Sequence, residues 1–135
     1  MRATRLGVAV ALLGCAIAGC GGGVDAREDA AARAAARFEA SLRAPDAARG
    51  CAALAPGTLD ELEQSAEQPC AKALPEAQVP LSTGVRHVDV YGRQARVVTD
   101  RDTLFLSSFP DGWKITAAGC TPRPEKPYQC QIKGS

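Results

Sequence analysis

His87-Val88-Asp89-Val90-Tyr91-Gly92-Arg93-Gln94 opens the stretch that decides the fold. Val88 and Val90 alternate with His87, Asp89 and Tyr91, the period of two produced by a strand with one buried face. Gly92-Arg93-Gln94 turns the chain into Ala95 to Thr99, and Asp100-Arg101-Asp102 turns it again into Thr103-Leu104-Phe105-Leu106-Ser107. Pro110-Asp111-Gly112 marks a hairpin leading into Trp113-Lys114-Ile115-Thr116-Ala117. Four strands joined by tight turns predict an antiparallel meander. The tail from Thr121 to Ser135 is broken by Pro122, Pro124 and Pro127, and Cys130 and Ile132 are placed to make a last edge strand.

Upstream the period is helical. Residues 24–43 are rich in alanine and charge, and Ala31, Ala34, Phe38 and Leu42 recur as a stripe for burial, with Pro45 ending the helix. Asp46 is placed to cap a short second helix through Leu54, which Pro56-Gly57 terminates. Thr58-Leu59-Asp60-Glu61 has the spacing of a capping box opening a third helix through about Glu67. Pro69 precedes Cys70 and a last helical turn reaching Leu74. Helices followed by an antiparallel sheet predict an α+β domain, the helices covering one face of four to five curled strands.

The N-terminus carries a different signal. Arg2 and Arg5 precede an apolar run, Leu6 to Ala18, that is short for a bilayer span and ends in Ile17-Ala18-Gly19-Cys20. That tetrapeptide resembles the lipobox of bacterial lipoproteins, in which a signal peptidase cuts before a cysteine that receives a diacylglyceryl group. The resemblance implies a signal peptide at residues 1–19, a lipidated tether at 20–29 that includes Gly21-Gly22-Gly23, and one domain at 30–135. A plain cleaved signal peptide with an incidental Cys20 is the alternative. Leu12-Leu13-Gly14-Cys15 is a competing site, but its leucine at −2 fits less well. Two acyl chains make attachment persistent where one gives only marginal binding, so the location implied is the extracytoplasmic face of the cell membrane.

Composition bounds the rest. The formal net charge of the whole chain is +1, and losing Arg2 and Arg5 with a signal peptide leaves no basic excess to bind nucleic acid. Aromatic residues make up only 4% of the chain, so the core is small and needs staples. Six cysteines supply them. With Cys15 cleaved off and Cys20 acylated, Cys51, Cys70, Cys120 and Cys130 remain, an even set that reads as two disulfides in an exported chain. Of three possible pairings, Cys51–Cys70 and Cys120–Cys130 are expected, because each closes a loop within one half. Each contributes about 3 kcal/mol by loop-closure arguments. A metal site is not expected: there is no Cys-x-x-Cys, and His87 is the only histidine.

Phe38-Glu39-Ala40, Cys51-Ala52-Ala53-Leu54, Glu61-Leu62-Glu63 with Pro69-Cys70, Phe109-Pro110-Asp111-Gly112-Trp113 and Gly119-Cys120-Thr121-Pro122 carry a further resemblance. From about Ala30 to Cys130 the chain resembles the NTF2-like, or cystatin-like, α+β architecture, and more narrowly the small lipoproteins of high-GC Gram-positive bacteria. Domains of that architecture serve as enzymes, ligand carriers and assembly modules, so the likeness alone assigns no activity.

His87, Asp89 and Tyr91 form the one polar cluster with chemical promise. Period-two spacing sets them on one strand face. NTF2-like isomerases and dehydratases use such groups for acid–base work inside a cone-shaped pocket. The simpler reading is a solvated face, since Val88 and Val90 claim the helical side. Nucleophile elbows and phosphate-binding loops are missing from the sequence. Trp113 reads as a core residue, and the mixed charges from Arg27 to Glu39 as the solvated side of a helix. No catalytic residue and no cofactor is expected. The leading expectation is a membrane-anchored, non-enzymatic module that binds a protein or small ligand; an NTF2-like isomerase or dehydratase and a structural envelope protein are the alternatives. Cys20→Ala should abolish acylation, which intact-mass measurement of membrane-fraction protein reads directly; label on Cys15 instead would move the site.

Overall fold

The computed structural model describes residues 23–44 and 46–134. The expected signal peptide, the lipidation site Cys20 and the helix stop Pro45 lie outside the described residues. Four helices and five strands follow in order: α1 (Gly23–Arg43), α2 (Ala47–Ala53), α3 (Pro56–Ala66), α4 (Cys70–Glu76), β1 (Val85–Tyr91), β2 (Gln94–Thr99), β3 (Thr103–Phe109), β4 (Gly112–Arg123) and β5 (Lys126–Lys133). The strands pair antiparallel in sequence order in a single sheet that is not closed into a barrel. The chain is α+β.

Burial on α1 follows the alanine stripe. Ala31, Ala34, Ala35 and Phe38 are buried, while Leu42 is half-buried. Alanines let the helix lie close to the sheet, and Phe38, fully buried, fills the gap among Val97, Leu104, Leu106 and Ile115. Val88 and Val90 are partly buried against the same core, as the alternation predicted. From Gly23, the first described residue, the chain is helical, so residues 23–29 of the expected tether belong to α1. Arg27 ties this part of the helix to the sheet: its guanidinium donates to the Gly92 carbonyl and lies 5.8 Å from the Trp113 ring centroid.

Asp46 caps α2 as expected, accepting from the Arg49 N–H at 3.2 Å. Leu54 and Ala55 then run extended along β4, with Leu54 bridging Ile115 and the Ala55 N–H donating to the Ile115 carbonyl at 2.8 Å. That clamp changes the reading of Pro56-Gly57. Pro56 occupies the first turn of α3, where its fixed φ favours initiation, and Ala55 is the N-cap. Thr58 is therefore inside the helix and caps nothing; it is buried and donates to the Thr116 carbonyl at 3.0 Å. Glu67 closes α3 in the left-handed region.

Both expected disulfides form, Cys51–Cys70 between α2 and α4 and Cys120–Cys130 between β4 and β5. The proline-broken tail is more regular than its sequence suggests. β4 continues to Arg123 and β5 returns from Lys126, with Glu125 at positive φ in the turn. Beyond Ala117 the partners of β4 all come from β5. Apart from the bonds of Gly119 and Cys120 to Asp102, its other side pairs with no strand, so Pro122 interrupts no ladder. Phe38→Ala should cost about 3–5 kcal/mol, measured as a lowered urea midpoint, because a packed core closes only in part over the void.

Candidate functional site

Register brings the expected polar cluster together in part. His87 Nε2 and Asp89 Oδ1 lie 2.8 Å apart on β1, with the His87 side chain open to solvent. Tyr91 does not join them: it is 67% exposed at the strand end. In its place comes Arg96, which sits opposite Asp89 in the β1–β2 ladder. Its Nε and Nη2 donate to Asp89 Oδ2 at 2.9 and 2.6 Å, and Nη1 donates to the Tyr128 hydroxyl at 3.3 Å. Tyr128 in turn stands edge-on to Phe105, with ring centroids 5.0 Å apart. The Arg96 guanidinium holds the Asp89 carboxyl below its ordinary value, and His87 adds to this. Asp89 is thus a fixed anion engaged by a cation. It orients His87 and is a poor base.

Two carboxylates are buried, and neither reads that way in the sequence. Glu39, assigned above to a solvated helix side, is only 2% exposed. Its Oε2 accepts from the Ser82 N–H at 3.1 Å, while Oε1 has no partner. A cavity of about 50 Å³ adjoins it, lined in part by Arg43, Ser82 and Thr99, with room for a water. Asp102 ends the β2–β3 turn and accepts from the N–H groups of Thr103, Gly119 and Cys120 at 2.7, 2.9 and 3.0 Å. Burial pushes both carboxyls above their ordinary values. For Glu39 the Asp102 charge adds to the rise, and the Ser82 N–H and Arg43 oppose it. By contrast Asp100, which accepts from the Thr83 N–H and hydroxyl, is lowered to about 2.

The most spacious of the three cavities lies elsewhere, between α1, α2 and the β3–β4 turn. It is a groove of about 520 Å³ floored by Ala34, Ala40 and Ala53 and walled by Trp113. That volume is within the range of small-molecule sites. Trp113 is partly buried against the core and also lines the groove, so it is both core and wall. Arg37, Arg49 and Lys114 stand around the groove. Arg49 is 3.4 Å from Asp46, and Lys114 is 3.3 Å from Asp111 and donates to the Ala52 carbonyl at 3.0 Å. Arg37 makes no ion pair or hydrogen bond among the described residues, which leaves its guanidinium for an incoming acceptor. Neither His87 nor Asp89 lines any of the three cavities. No group of three or more metal-ligating side chains occurs among the described residues.

Sequence reasoning missed Arg96 and Tyr128 because their roles depend on register, although Arg96 shares the strand parity of an outward residue. It missed the groove because its floor is alanine, which carries no chemical signal. Comparison with known proteins finds no matching family model, curated sequence or solved structure for this chain.

Glu39 makes the pH dependence specific. Its folded-state pKa is raised above 4.5, so its contribution to stability is full below that value and is lost as pH rises through the raised one. Glu39→Gln, which stays neutral, should gain on the wild type as pH rises from 4 to 7, its melting midpoint moving up relative to that of the wild type over that range. A difference that does not change with pH would mean the carboxyl is ordinary.

Proposed function

We propose that this chain is a lipid-anchored binding module on the extracytoplasmic face of a cell membrane, with an NTF2-like α+β domain that captures its ligand in the groove between α1, α2 and the β3–β4 turn. The observation that carries the reading is the groove itself: an apolar floor, one aromatic wall and the uncommitted guanidinium of Arg37. Such a lining suits a ligand with a flat apolar part and an acidic group, the apolar part against Trp113 and the anion at Arg37. Support for the anchor comes from the lipobox-like Ile17-Ala18-Gly19-Cys20 and from the two disulfides, which belong in an oxidising compartment. No described helix is long and apolar enough to cross a membrane, so anchoring by this reading falls to the lipid.

The 2.8 Å approach of His87 to Asp89 favours a second reading, acid–base catalysis of the isomerase or dehydratase type. Weighing against it, the pair opens to solvent without a cavity, and Arg96 already engages the carboxylate. A general base raised towards neutrality needs the opposite environment.

Native mass spectrometry of the anchored protein, extracted from its own membrane, separates the two. A retained small molecule or partner should be lost in Arg37→Glu and in Trp113→Ala and kept in Asp89→Asn. Retention in both groove variants, or loss in Asp89→Asn alone, would sink the groove reading.

A further inference from the structure

Resting on the anchor reading above, we infer that the domain does not hang free of the membrane but seats one end of itself, carrying Val24 and Tyr91, in the interfacial layer of the bilayer that holds the anchor. The length of the connection carries the argument. From Cys20 to Gly23, the first described residue of α1, the chain advances three residues, a reach of at most about 10 Å. A lipid on Cys20 therefore holds the first turn of α1 at headgroup depth, because the helix leaves no slack to let the domain retreat.

What stands at that end fits an interface. Val24, in the first turn, is 61% exposed, and Tyr91 is more exposed still. Arg27 joins them, donating from the second turn of α1 to the carbonyl of Gly92, the residue after Tyr91. Arg93 ties the same turn to the end of β3, its Nη2 donating to the Ser108 carbonyl at 2.7 Å. The start of α1, the β1–β2 turn and the β3–β4 turn are thus one end of the domain. Tyrosine is suited to the headgroup layer, with an apolar ring and a hydroxyl that stays wet. Arg27 and Arg93 lie within reach of lipid phosphates, and Asp25 and Asp111 at the same end offset their charge. The seat therefore depends on apolar contact more than on anionic lipid. Leu81 and Val85, the other exposed large apolar residues, lie towards the opposite end, by the β2–β3 turn, where the chain cannot bring them to the anchor's membrane.

The test uses the full lipidated protein in nanodiscs of equal parts phosphatidylcholine and phosphatidylglycerol, doped with a lipid carrying a nitroxide headgroup. Amide signals of residues 24–27 and 91–94 should lose most of their intensity while those of 99–102, Glu125 and Lys126 keep theirs. The double variant Val24→Ser, Tyr91→Ser, both at exposed positions, should restore the signals of 91–94 and leave those of 24–27 weak, because the tether still holds them; broadening confined to 24–27 in the wild type comes from the tether alone and overturns the seat. Intact mass is read on the same sample. A diacylglyceryl on Cys20 with broadening that is absent, uniform or confined to the 99–102 end overturns the seat and leaves the anchor standing. An unmodified Cys20 overturns the anchor and the seat with it.

Discussion

The carboxylate of Asp102 is the constraint on which the sheet depends. At Gly119 the β4 backbone enters the left-handed region, φ +66°, and β4 stops pairing with β3. The N–H groups of Gly119 and Cys120, adjacent residues that a regular strand would turn to opposite neighbours, both go to Asp102. A buried backbone donor left without an acceptor costs about 1–3 kcal/mol, so a short acceptor at this place permits β4 to leave one neighbour and continue with another. A residue other than glycine is disfavoured twice over, by the positive φ and because an added Cβ would lie 2.6 Å from Gln131 Cγ. From this departure follow the long β4, its hairpin with β5 and the Cys120–Cys130 staple. The reach of Tyr128 back to Arg96 and Phe105 follows as well.

A second linkage joins the layers. Leu54, Ala55 and Thr58 all bond or bridge to Ile115 and Thr116 in the middle of β4. The Gly134 N–H also donates to the Thr116 carbonyl, at 2.9 Å, so one peptide of β4 holds both α3 and the chain end. The short helices gain order from the sheet and from Cys51–Cys70; at seven residues, α2 and α4 are too short to be stable alone. The groove is a by-product of this arrangement. Where α1 and α2 meet, the alanines of the floor carry no side chain that would fill the space before Trp113.

Periodicity made the architecture legible. The alanine stripe of α1, the valine alternation of β1 and the turn residues before Trp113 each report a local preference that the fold retains. So does the disulfide pattern, because both links close short loops. Meaning fails to be local where tertiary contact reverses it. Pro56-Gly57 reads as a stop until Ala55 is held by Ile115, when it becomes a start. Glu39 has the composition of a solvated helix position, and only the arrival of Ser82, distant in sequence, buries it. Asp102 reads as a turn residue, and its partners lie across β4. His87 and Asp89 were placed on one face by spacing, but the identity of Arg96 as their third member required the register.

Because every strand pairs with its neighbour in sequence, the sheet demands little loop closure and can grow hairpin by hairpin. The order of synthesis works against the other layer. All four helices leave the ribosome before β1, and nothing they cover yet exists. An alanine-rich α1 offers little large apolar surface to stick by during that wait, which lowers the hazard of aggregation before the sheet forms.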